Sequence, residues 1–153
     1  VAFSHQPSLF NNGMAVSVLS TAVSKCSMPF SDAFIKGILC NFLVCIAVWI
    51  SFAAKEVVSK IVGLFFPIMM FVLCGFEHSI ANMYYISSGL FAKTNATYVQ
   101  AATDAGVDLT NLTWGNFFSK NLLPVTLGNI VGGAICVGCA YWFIYLRKAK
   151  KAA

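Results

Sequence analysis

The stretch from Ile61 to Ala92 is apolar almost throughout, yet its middle reads Gly75-Phe-Glu-His-Ser-Ile-Ala-Asn82. As one straight helix these residues would extend roughly 48 Å at about 1.5 Å per residue, whereas ~20 residues suffice to cross about 30 Å of hydrocarbon. The segment must therefore tilt, project beyond the membrane or break. A break at the centre is predicted, because Gly75 removes packing there while Glu77, His78 and Ser79 can satisfy freed backbone groups. Non-helical backbone at membrane depth persists only where it is buried in protein or lines a water-filled cavity. Pro67 adds a kink nearer the start. Ionisable groups at such depth usually line pathways or relay protons, which makes Glu77-His78 the first place to look for function. Two packed re-entrant segments without a pore are the structural alternative.

Composition agrees with a membrane setting. The 153 residues are 59% hydrophobic and only 10% charged, with a mean hydropathy of +0.79, outside the range of a soluble domain of this size. The net charge of +5 does not point to nucleic acid, since Arg147, Lys148, Lys150 and Lys151 form one short tail after the last apolar segment. Of the six cysteines, all but Cys26 lie in apolar segments, where cysteine acts as a small packing residue. Cys136-x-x-Cys139 lacks a second pair, so neither metal nor disulfide chemistry is expected. The start, Val-Ala-Phe-Ser-His, is not a signal peptide, and Val1 to Phe3 read as the end of a helix whose beginning is missing.

Three membrane segments are predicted, at about 33–54, 61–92 with its central break, and 122–146. Loop charges orient them: Lys55 and Lys60 fall on the same side as the basic tail, which places the C-terminus in the cytoplasm. The segments 4–32 and 93–121 then lie outside, and Gly13 to Val23 reads as an interfacial helix. Asn95-Ala-Thr97 and Asn111-Leu-Thr113 match the short glycosylation pattern but carry no functional weight.

Several side chains could carry function. A helix before the break would align Phe71, Cys74 and His78; a helix after it would align His78 with Asn82. An apolar ring beside a titratable imidazole suits a selective pore, and equally suits a satisfied bond between packed helices. Asn41 and Asn129 are expensive in lipid unless paired, so both should face the interior, as pore residues or as helix-to-helix amide bonds. Gly128-x-x-x-Gly132, with Gly133, reads as close helix packing. Glu77, one residue from His78, should brace freed backbone donors. Lys25, ahead of the first span, could concentrate anions at a pore mouth or be an ordinary solvated lysine.

The segments Phe34-Ile-Lys-Gly-Ile-Leu-Cys-Asn41-Phe-Leu-Val-Cys-Ile-Ala-Val-Trp49, Gly75-Phe-Glu-His-Ser-Ile-Ala-Asn-Met83 and Asn121-Leu-Leu-Pro-Val-Thr-Leu-Gly-Asn-Ile-Val-Gly-Gly133 together resemble the formate/nitrite transporter family. Within it the likeness leans toward the bacterial hydrosulfide channels. The resemblance implies an all-α membrane protein, an aquaporin-like inverted-repeat helical bundle with a broken pore helix, assembled as a pentamer in the bacterial inner membrane. The chain would be the C-terminal portion of one channel domain, and its missing first-repeat segment would complete the pore. By motif, His78 matches the central pore histidine, Phe71 the outer aromatic constriction and Val44 the border of the inner one. Asn41 and Asn129 match polar residues near the pore, and Lys25 the outer vestibule. Gly75, Glu77 and Asn82 would support the broken helix.

The implied activity is passage of small monovalent anions of weak acids, such as formate, nitrite or hydrosulfide, with no cofactor and no catalytic residue. Apolar constrictions would reject strongly hydrated species, and a proton or hydrogen bond from His78 would reduce the desolvation cost of the anion. A membrane redox subunit holding haem or quinone is the rival class, and a non-transporting scaffold a third. With His5 outside the spans, His78 alone cannot supply bis-histidine haem ligation.

Overall fold

The computed structural model describes residues 11–147, which form helices and connecting turns with no strand among them. The expected helical end at Val1 to Phe3, His5 and the lysines of the basic tail lie outside the described residues. The helices are α1 (Asn12–Cys26), α2 (Phe30–Ala53), α3 (Val57–Leu73), α4 (Ser79–Ala92), α5 (Ala96–Asp104) and α6 (Trp114–Leu146). They fall into two compact units, one of Val1–Phe30 with Ser79–Pro124 and one of Ser31–His78 with Val125–Ala153.

The first unit is built on α1 against α4 and α5. Asn11 caps α1 by accepting from the Met14 N–H at 2.9 Å, and Ala15, Leu19, Ala22 and Cys26 form one buried stripe at helical spacing. That stripe joins Ile86, Leu90, Tyr98, Ala102, Leu112 and Phe117 in a single apolar core. The helix expected around Gly13 to Val23 is present within α1, and its small-residue face packs into this core. Asn95 of the first glycosylation-like triplet serves as the N-cap of α5, accepting from the Thr97 N–H at 3.0 Å.

The second unit contains α2, α3 and the larger part of α6. α2 meets α6 through glycine: a Cβ added to Gly37 would lie 2.8 Å from the Val125 carbonyl oxygen, and one on Gly128 or Gly132 would run into the carbonyl of Phe34 or Ile38. The glycine pattern is therefore a backbone-to-backbone contact. α2 and α6 are each long and apolar enough to cross a membrane, at 24 and 33 residues. α3 runs through Pro67 without ending.

Three expected starts shift, among them that of α3, which begins at Val57 rather than 61. α2 begins three positions before 33, a small end effect. α6 begins at Trp114 rather than 122, because Thr113 caps it by accepting from the Asn116 N–H at 3.1 Å. Polar residues Asn116, Ser119, Lys120 and Asn121 hide this first part from a search for apolar runs. It also takes a wide π turn over Phe117–Leu122, directly before Pro124, whose ring cannot join a regular helical ladder.

Candidate functional site

The central break of the second membrane segment is built by a glycine-terminated helix end. α3 stops at Leu73, and the N–H groups of Gly75 and Phe76 turn back to the carbonyls of Val72 at 3.1 Å and Phe71 at 3.0 Å. This paired closure requires a left-handed residue at Gly75, whose φ is +62°. Gly75 thus supports the break through its backbone conformation. The chain then runs non-helical from Phe76 to His78, and α4 starts at Ser79.

Both main-chain groups of Glu77 are held within the second unit. Its N–H reaches the Lys36 carbonyl at 3.4 Å, and its carbonyl accepts from Asn129 Nδ2 at 3.0 Å. Glu77 itself is only 3% exposed. Asn129 Nδ2 also donates to the Gly37 carbonyl at 2.9 Å, and the Asn129 carbonyl accepts from Asn41 Nδ2 at 2.7 Å. Of the two readings left open for Asn41 and Asn129, amide bonds between helices are present, and they converge on the break. Gly133 lies against the Asn41 amide.

His78 comes to lie beside Phe71, with ring centroids 6.3 Å apart and planes inclined by 35°. The expected helical face of Phe71, Cys74 and His78 does not form, because α3 has already ended; Cys74 is its exposed cap. The two rings meet by the reversal at Gly75 instead. His78 is half-buried, and its Nδ1 is buried with no hydrogen-bond partner among the described residues. Leaving a buried polar atom unsatisfied typically costs about 1–3 kcal/mol, so such an atom is tolerated where a ligand, water or another segment completes it. Val44 is half-buried on α2, one turn beyond Asn41.

Lys25 and Asn82 belong to the first unit. Asn82, 1% exposed, donates from Nδ2 to Asn121 Oδ1 at 2.8 Å, and Asn121 Nδ2 donates to the Lys25 carbonyl at 3.0 Å. Lys25 Nζ stands 5.7 Å from the centroid of the Tyr85 ring. His78 precedes the first residue of α4, so the proposed helical pairing of His78 with Asn82 rests on a residue outside that helix. Asn121 was not expected as a site residue, although it is fully buried. Its signal was available: an asparagine beyond Asn41, Asn82 and Asn129, one that the misplaced start of α6 left in a loop.

Known proteins share the sequence pattern and the fold of this chain. The sequence pattern described as Formate/nitrite transporter matches residues 1–143. A probable formate transporter of Methanothermobacter thermautotrophicus is 45% identical over 122 residues, 80% of this chain and 38% of that protein. The formate channel FocA of Escherichia coli (strain K12) is 42% identical over 140 residues, 90% of this chain and 49% of the relative. Among solved structures, a pentameric formate channel with formate bound aligns with a TM-score of 0.78 at 39% identity, over 89% of this chain and 55% of that one. An FNT family ion channel aligns with a TM-score of 0.65 at 31% identity, over 83% and 45%. The chain spans about half the length of the curated relatives it matches.

Proposed function

We propose, from the premise that this chain belongs to the formate/nitrite transporter family, that it forms part of a channel passing small monovalent anions of weak acids. Membership makes it part of a membrane protein, in keeping with the apolar α2 and α6. Formate leads the substrate class, because the similar curated proteins named above are formate carriers. Nitrite and hydrosulfide share its size, its single charge and a neutral conjugate acid.

In this reading Lys25 raises anion concentration at the outer mouth, Phe71 and Val44 border apolar constrictions, and His78 donates a hydrogen bond or proton between them. A neutral acid avoids most of the desolvation cost that an anion meets at low dielectric. Asn41, Asn129, Gly75 and Glu77 hold the backbone around that donor. The protein functions as a pentamer in the bacterial inner membrane, with its C-terminus cytoplasmic and lipid against its apolar faces. The support for assembly is the pentameric channel to which the fold is similar.

One observation carries the proposal: the Nδ1 atom of His78 is buried and without a hydrogen-bond partner among the described residues, while the backbone beside it is fixed by hydrogen bonds. The test is His78→Leu in the full-length protein reconstituted in liposomes, with fluxes of formate, nitrite and hydrosulfide followed over roughly pH 5 to 8, the range in which imidazole changes charge. Altered selectivity or pH dependence is the expected result. Flux equal to the parent protein at every pH overturns the role of His78.

A further inference from the structure

Lys25 sits in the last turn of α1, where helical carbonyls lack intrahelical partners and a cation is favoured by the helix dipole. Its carbonyl is one of those orphan acceptors, and Asn121 Nδ2 satisfies it at 3.0 Å. Asn121 is in turn fixed by Asn82 at 2.8 Å, and both asparagines are buried. An amide of this kind has little freedom to find another partner. Its position within the wide turn Phe117–Leu122 supplies the placement, since a π turn rotates the residues beyond it relative to a regular helix.

The other end of the same residue is also held. Lys25 Nζ lies 5.7 Å from the Tyr85 ring centroid, within the range of a cation–π attraction. Tyr85 is 46% exposed, so its ring can meet the ammonium without a tightly packed pocket around it. Tyr84 stacks edge-on against it at 5.8 Å, which restrains the ring.

We infer that Asn121 and Tyr85 are positioning residues for the anion-collecting ammonium of Lys25, the first fixing where its backbone ends and the second where its charge points. This rests on the reading of Lys25 as a vestibule residue. Neither residue needs to touch the anion: each acts by raising the fraction of time that the charge occupies one place. Their effect should therefore fall on capture at low anion concentration, with little change in the maximal rate.

The test measures formate flux in liposomes for the full-length protein at low ionic strength, where exposed charges are least screened. Tyr85→Leu should raise the half-saturating concentration about threefold and leave maximal flux nearly unchanged, the factor expected from losing a partly exposed cation–π contact. Tyr85→Phe keeps the ring face and should restore the parent value. In a Lys25→Met background, Tyr85→Leu should have no further effect. Asn121→Leu should shift half-saturation in the same direction, and because that variant can fail to fold, the Tyr85 series decides independently. An unchanged half-saturation in Tyr85→Leu, or the same shift persisting without Lys25, overturns the inference. If Lys25→Met alone changes nothing, the vestibule reading fails as well.

Discussion

The side-chain amide of Asn129 holds the main-chain carbonyl of Glu77 at 3.0 Å. The same nitrogen donates to Gly37 at 2.9 Å, so one amide joins the helix break to α2. Asn129→Leu removes both donors and puts a larger apolar group in their place, so the Gly37 and Glu77 carbonyls each lose one hydrogen bond. At about 0.5–1.5 kcal/mol for each lost hydrogen bond, the loss should be about 1–3 kcal/mol, read as a lower midpoint of thermal unfolding in detergent. A variant as stable as the parent would mean that the break is held by something other than Asn129.

Glycine packing gives a second prediction with its own control. Gly132→Ala would drive a Cβ into the Ile38 carbonyl, and Gly128→Ala into that of Phe34. Neither backbone can yield without moving α2, so each should destabilise by about 1–3 kcal/mol as overpacking. At Gly138 an added Cβ would sit at an ordinary 3.6 Å from the Gly133 carbonyl. Gly138→Ala should therefore be neutral or slightly stabilising in the same unfolding measurement.

Gly75 separates conformational strain from crowding. Its φ is +62°, and a Cβ there would meet no atom within 4 Å. Gly75→Ala should cost about 1–2 kcal/mol through the left-handed backbone alone. Gly75→Asn should cost less, because asparagine tolerates that region. Equal losses for the two variants would assign the effect to something besides φ.

Much of this architecture could be read from the residue order, and what could not has physical causes. The break was legible because an apolar run of that length cannot stay helical around Gly75-Phe-Glu-His without a reason. Asn41 and Asn129 were legible as interior groups because amides are costly in lipid. The meeting of Phe71 with His78 was expected from helical periodicity, yet it arises from a chain reversal that periodicity cannot describe. Asn121 was missed because the start of α6 is polar, and only its capping residue Thr113 marks it as helix. The partners of Lys25, a remote amide that donates to its carbonyl and a ring on α4, depend on tertiary contact and leave no local pattern.

Asp108 supplies a control on pH dependence. Its carboxylate accepts from the Thr110 hydroxyl at 2.5 Å and from the Thr110 N–H at 2.9 Å. These bonds, the hydroxyl first, hold its pKa below the ordinary aspartate value against the opposing effect of desolvation, and the Lys93 charge adds the least. A folded pKa below the unfolded one stabilises the native turn fully above the unfolded value, about 3.9, and that stabilisation is lost as pH falls through the folded value. The turn at Asp108 should thus loosen only in strong acid, seen as faster hydrogen exchange at the Thr110 amide. Asp108→Asn should remove that acid dependence and leave the flux profile near neutral pH untouched. A neutral-range shift of formate flux in Asp108→Asn would move the pH response away from His78 and toward the loop before α6.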